Sequence, residues 1–95
     1  MPHYVYIIYS EKKDQYYIGE SKNVVERVNQ HNNHLFEKSF TTRASDWHLI
    51  KCFECENIEH ARRFEKFIKR MKSRKFIQSL IEDKIKVDDI IQKCR

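Results

Sequence analysis

Tyr16-Tyr17-Ile18-Gly19, taken with Tyr4-Val5-Tyr6, is the stretch whose reading decides the fold. Gly19 is the only glycine in 95 residues. Glycine is required where the backbone takes a positive φ or where another group must approach it closely. A chain that uses it once has placed it where no other residue serves. The two tyrosines and the β-branched isoleucine before it favour a strand. After it, Asn23 with Glu26 three residues on has the pattern of a helix start. The expectation is a strand that ends at Gly19 and hands over to a helix, with tyrosines facing the junction.

Outward from this stretch, residues 3–9 (His-Tyr-Val-Tyr-Ile-Ile-Tyr) form an aromatic and β-branched run, hence a first strand. Ser10 to Gln15 is a charged connection short enough for a hairpin. Side chains alternate along strands, so pairing an even residue of the first with an odd residue of the second puts Tyr6 and Tyr17 on one face. With Tyr6 opposite Tyr17 the connection is about four residues, a common hairpin length. A first helix is expected from Asn23 to about Asn32, with Val24, Val25 and Val28 as its apolar stripe. Arg27 and His31 are i,i+4 neighbours on a different side of it. Asn32 to Ser45 is polar and long for a connection, a trait of functional loops. Trp47 to about Cys55 reads as a third strand. Asn57 caps a second helix with Ala61, Phe64, Ile68 and Met71 inward. Ser73 caps a third helix through Ile81, with Ile77, Leu80 and Ile81 inward. Val87, Ile90, Ile91 and Cys94 suit a short C-terminal helix. The order β-β-α-β-α-α plus that helix gives one α+β domain over residues 1–95. Its three-stranded antiparallel sheet is flanked by helices, since a lone hairpin would be marginal.

A chain of this length supports one modest core. It has no internal repeat, and one proline with one glycine leaves no linker. No basic segment leads into a long apolar run, so neither a signal peptide nor a membrane span is expected. Cys52, Cys55 and Cys94 are an odd number, which fits a reducing cytoplasm. His48, Cys52, Cys55 and His60 in a row suggest zinc. Yet Cys52 and Cys55 are three apart in a strand, face opposite sides and cannot share a metal. Buried free thiols are the better account. The net charge of +5 points to an anionic partner.

The basic residues crowd into residues 62–75, where Arg62 and Arg63 precede Lys66, Lys69, Arg70, Lys72, Arg74 and Lys75. That density suits contact with a phosphate backbone. It suits equally a solvated face whose long stems shelter the apolar stripe beneath. Thr42 and Arg43 in the long connection offer a hydroxyl and a guanidinium for phosphates, or are an ordinary polar loop. Glu65 stands alone in the basic run. It pairs with Lys69 or Arg62 as a helix-surface ion pair, or it holds a hard divalent cation; residue type alone favours the ion pair. Arg27 and His31 can clamp a phosphate and relay protons, or sit on a surface. The tyrosines can be strand packing.

As an ordered set, these residues resemble the GIY-YIG nuclease superfamily, in particular its small stand-alone bacterial members, which are related to the nuclease domain of the bacterial excinuclease. The resemblance covers about residues 3–82 and leaves 83–95 as a C-terminal helical extension. Tyr4-Val5-Tyr6 stands at the first motif, and Tyr17-Ile18-Gly19 is the second to the letter. Asn23-Val24-Val25-Glu26-Arg27 with His31 resembles the first-helix pattern, and Phe40-Thr41-Thr42-Arg43 the threonine-arginine loop. Ala61-Arg62-Arg63-Phe64-Glu65-Lys66 resembles the segment that carries the metal-binding glutamate. What the resemblance implies is a cytoplasmic Mg²⁺- or Mn²⁺-dependent endonuclease acting on DNA, structure-selective and set in repair or recombination. No small-molecule cofactor and no membrane are implied. Glu65 holds the cation, Arg27 stabilises charge on the phosphoryl oxygens, Tyr6 is the favoured base and Tyr17 positions. His31 and Arg27 stand to lower a tyrosine pKa from its usual ~10, and Gly19 turns the backbone beside the site. Two departures stand out: Tyr4 replaces the first motif's glycine, and no asparagine follows Asn57, where larger members carry one. A nucleic-acid-binding module with weak or lost catalysis is the second reading. A protein-interaction domain docking through the C-terminal stripe is the third. Neither the DNA structure recognised nor the oligomeric state is legible in these residues.

Overall fold

Val5-Tyr6-Ile7-Ile8 is an unbroken apolar run, which suits a strand covered on both faces rather than one. The computed structural model describes residues 2–33, 45–83 and 86–95, and in it this run is the middle of the central strand. β1 (His3–Ser10) lies between β2 (Gln15–Ser21) and β3 (His48–Cys55), antiparallel to both. Val5, Ile7 and Ile8 are fully buried and Tyr6 is 2% exposed.

The two faces are covered differently. Val5 and Ile7 join Ile18, Phe53 and Cys55 beneath α2 (Ile58–Met71), α3 (Arg74–Glu82) and α4 (Val87–Lys93). Those helices contribute Ala61, Phe64, Ile68, Leu80 and Val87, and Phe64 meets Phe53 edge-on at 5.5 Å. On the other face Tyr6 and Ile8 lie under Val24 and Val28 of α1 (Val24–Asn32), closed by Trp47. Asn32 holds Trp47 in place: its side-chain amide accepts from Trp47 N and donates to Trp47 O, each at 2.7 Å.

The three expected caps are present. Asn23 accepts from Glu26 N at 3.1 Å, Asn57 from His60 N at 2.9 Å and Ser73 from Phe76 N at 3.1 Å. A cap of this kind contributes about 1 kcal/mol. The C-terminal stripe closes the core: Val87 is buried, and Ile90, Ile91 and Cys94 pack against the larger cluster. His60 ties α4 down, its Nδ1 accepting from Glu56 N and its Nε2 donating to Ile91 O at 2.7 Å. The stripe on which a protein-docking role rested is thus part of the core packing, with Ile90, Ile91 and Cys94 partly exposed. Cys52 is exposed and Cys55 buried, on opposite faces of β3, and burial pushes the Cys55 thiol up to about 11. Among the described residues no helix is long and apolar enough to cross a membrane.

Four local expectations need correction. β2 does not end at Gly19 but continues to Ser21. Tyr6 stands opposite Gly19 and Ile8 opposite Tyr17, a two-residue shift from the register with Tyr6 opposite Tyr17. The four-residue turn forms further along, after Ser10, where Asp14 takes a left-handed φ of 50°. Even still pairs with odd, so both tyrosines share one sheet face. Val25 is 69% exposed and Met71 46% exposed, so neither belongs to an inward stripe. His31 does, because α1 meets the sheet through Val24, Val28 and His31, at i, i+4 and i+7. Thr42, Arg43 and most of the long connection lie outside the described residues.

Phe64 is the largest fully buried side chain among the described residues. Phe64→Ala is expected to cost about 3–5 kcal/mol in urea unfolding. A loss below about 1 kcal/mol would mean that the helices are not held through this ring.

Candidate active site

Gly19 owes its place to space, not to φ, since its φ is not positive. A Cβ built on it would lie 2.5 Å from Tyr6 Cζ and 3.0 Å from Cε1. The ring of Tyr6 therefore crosses directly over Gly19, from the central strand toward the outer strand. At the end of that reach the Tyr6 hydroxyl lies 2.8 Å from His31 Nε2. Tyr17, half-buried on the same face, meets the His31 ring edge-on at 5.1 Å. One strand pair and the inward side of α1 thus gather both tyrosines and the histidine.

Burial controls the protonation of this group. It raises the Tyr6 hydroxyl well above the ordinary tyrosine range, with Tyr17, Glu65 and Glu20 adding to the rise and Arg27 opposing it. The same burial, then Arg27, pushes His31 down to about 4. At neutral pH both partners are uncharged. In the Nδ1–H tautomer the hydroxyl donates and the imidazole accepts. The positive charge beside Tyr6 therefore comes from Arg27 and not from His31, contrary to the idea of a cationic histidine.

Glu65 sits on α2, and the field of its carboxylate reaches Tyr6. Its side chain is 19% exposed, and its Oε1 accepts from Lys69 Nζ at 2.6 Å. Glu65 and Glu20 share a cleft of about 460 Å³ with Arg62, Lys66 and Lys69. A neighbouring cleft of about 490 Å³ reaches Arg27 and shares Glu20 and Arg62 in its wall. Glu20 bonds His3 and faces Arg62 Nε at 3.8 Å. Sequence reasoning missed this carboxylate. The available signal was its alternation with Ile18 on a strand face that helices cover.

Among the described residues no three His, Cys, Asp or Glu side chains gather as a metal cage. A hard cation that keeps waters and takes substrate phosphate oxygens needs only one or two carboxylates. Glu65, with Glu20 in the same wall, meets that demand. A larger cavity among the described residues, about 640 Å³, lies beside α4 and holds none of these residues.

The basic run divides by position. Lys66 and Lys69 wall the carboxylate cleft, while Lys69, Lys72 and Arg74 border a groove at the hairpin end of β2. Arg74 is held by Asp14, at 2.6 Å to Oδ1 and 2.9 Å to the carbonyl. Arg70 and Lys75 are exposed and wall neither space.

A family profile described as the GIY-YIG catalytic domain matches residues 2–78. Among solved structures, the solution NMR structure of the UPF0213 protein BH0048 from Bacillus halodurans is similar, with a TM-score of 0.54 and 26% identity. The alignment covers 86% of this chain and 84% of that one. No curated protein matches.

The contacts of Tyr6 set two expectations. Gly19→Ala should destabilise by about 1–3 kcal/mol, because the Tyr6 ring has nowhere to move. An unchanged urea midpoint would place that ring elsewhere. His31 should stay neutral by NMR down to pH about 4. An unfolded histidine binds its proton near pH ~6.5. Between these values the unfolded state carries more protons, so stability should fall as pH drops from 6.5 toward 4. His31→Gln should lose that slope, and a wild-type slope of zero across the window would contradict it.

Proposed function

The chain belongs to the GIY-YIG family of nucleases, and on that premise we propose that it is a divalent-cation-dependent DNA endonuclease. The observation that carries the reading is the meeting of Tyr6, Tyr17 and His31 over Gly19, within the fields of Arg27 and Glu65. Hydrolysis of a phosphodiester needs a group to take the proton of the attacking water. It also needs positive charge on the phosphoryl oxygens and charge neutralisation at the leaving oxygen.

Tyr6 is the proposed base. Its raised pKa means that its hydroxyl is protonated at neutral pH, so it can accept a proton only by handing its own on. His31 Nε2, neutral and 2.8 Å away, is placed to receive it. As water is deprotonated at Tyr6 Oη, the tyrosine proton passes to His31, and the hydroxide attacks phosphorus. The bond to the leaving oxygen breaks, and that oxygen departs with the electron pair, to be protonated from solvent. Charging His31 beside Arg27 is unfavourable in the free protein. The negative charge of a bound phosphate offsets this and turns Arg27 toward the phosphoryl oxygens. Tyr17 positions water or phosphate from the same face. Glu65 holds the cation, Mg²⁺ or Mn²⁺, which supplies Lewis-acid stabilisation of the phosphate. DNA repair or recombination, in the cytoplasm, is the proposed setting, with DNA structure rather than base sequence as the determinant. The basic run, and Thr42 with Arg43, serve as phosphate contacts in this reading.

One observation favours the alternative of a DNA-binding module with weak catalysis: no asparagine follows Asn57 on or after the glutamate helix.

With Mg²⁺ and a panel of duplex, nicked, flapped and branched DNAs, the wild type should cleave and Glu65→Ala should not. The variant should keep its fold and DNA affinity. Tyr6→Phe should slow cleavage by about 10²–10⁴-fold, and Tyr17→Phe by less. Cleavage that persists in EDTA would refute the metal assignment, and a Tyr6→Phe rate equal to wild type would refute the base.

A further inference from the structure

The spaces along the outer strand differ in chemistry. Those around Glu65 and Arg27 are walled by charged side chains. The groove at the hairpin end, about 430 Å³, is lined by Ile18, Ile68 and Ile77, with Tyr16 and Tyr17 from β2 and Lys69 and Lys72 at its rim. Arg74 lies 5.3 Å over the Tyr16 ring and is fixed there by Asp14. Lys69 lies 5.4 Å over the Tyr17 ring. Tyr17 and Lys69 thus belong to this groove and to the candidate active site at once.

Duplex backbone asks for cations and gains nothing from an apolar slot, and a paired base has both its faces stacked within the helix. An unpaired base does have a free face. What such a base takes is an aromatic and apolar surface, with cations alongside for its phosphates. We propose that this groove receives one unpaired base of the strand being cut, stacked on the guanidinium that Asp14 holds over the Tyr16 ring. The substrate class is then DNA with an unstacked nucleotide next to the scissile phosphate, as at a flap, a bulge or a single-stranded end. This inference rests on the nuclease reading and narrows it.

The test is equilibrium binding in EDTA, where no cleavage occurs, by anisotropy of an end-labelled DNA. One DNA is a fully paired hairpin duplex. The other is the same duplex carrying a single unpaired 2-aminopurine. Wild type should bind the second about tenfold tighter, the scale of one stacked base, and 2-aminopurine emission should change on binding. Tyr16→Leu keeps apolar bulk but loses the ring, so it should bind both DNAs alike, with paired-duplex affinity unchanged. Tyr16→Phe should retain the preference. Lys72→Gly, at a φ of 48° that glycine takes without strain, is a second variant. It should weaken binding of the unpaired DNA several-fold. Equal wild-type affinity for the two DNAs, or a preference that survives Tyr16→Leu, overturns this inference and leaves the nuclease reading standing. Binding to neither DNA overturns both. Self-association by sedimentation velocity that Tyr16→Leu abolishes would make the groove the seat of a second copy, and this too overturns it.

Discussion

The passage of the Tyr6 ring across Gly19 is the constraint on which the rest of the site depends. A methyl group at position 19 would collide with the ring carbons, so the ring can cross only a residue without a side chain. That crossing carries the hydroxyl out of the central strand to His31. His31 in turn fixes which side of α1 faces the sheet, together with Val24 and Val28. Once α1 lies there, Asn32 at its end is in reach of both backbone groups of Trp47, and Trp47 closes the smaller core. The sole glycine therefore acts through space at a strand crossing, and its backbone conformation is ordinary.

Electrostatically, desolvation outranks charge at the centre of the site. Burial is the first cause of both shifts, upward for Tyr6 and downward for His31. Both shifts favour the uncharged forms, so a neutral pair sits in the interior with charged groups around it. Arg27, Glu20 and Glu65 act on Tyr6 through their fields with opposing signs. A neutral donor and acceptor 2.8 Å apart can exchange a proton along one hydrogen bond. An imidazolium at buried His31 without a bound phosphate would be costly, as any isolated buried charge is. In the proposed mechanism, proton transfer is thereby linked to occupation of the clefts, which limits the chemistry to the loaded state.

Much of this was legible because it is local. Caps at Asn23, Asn57 and Ser73 depend on residues within three positions, and strands on their own composition. The shared face of Tyr6 and Tyr17 depends only on parity, so it survives a two-residue error in register. What was not legible depends on distant partners. The end of β2 is set by pairing of Ser21 with Tyr4, which the local helix-start signal masked. The inward turn of His31, where Val25 looked the better candidate, reflects a short helix whose apolar stripe is too narrow to choose a side. Glu20 meets His3, and Arg74 meets Asp14 sixty positions earlier, contacts that no periodicity announces. The family's threonine-arginine loop, with Thr42 and Arg43, falls outside the described residues.

The basic run illustrates how far pairing should be read as commitment. Arg62 faces Glu20, Arg63 faces Glu59, Lys69 bonds Glu65 and Arg74 bonds Asp14. Counted as pairs, these cations look spent. Their side chains are nonetheless between 47% and 65% exposed, and ion pairs in water contribute only ~0.2–1 kcal/mol. Contact with a polyanion adds a charge-assisted bond and releases condensed counterions. Such pairs therefore give way to phosphate readily, or share their cation with it. Meanwhile they hold the long side chains near the clefts, which would lower the ordering cost of binding a phosphate. Arg74 is the clearest case, because two bonds to Asp14 and a ring beneath it set its plane before any ligand arrives. An unpaired Lys or Arg on the same helices would carry more nominal charge and less direction.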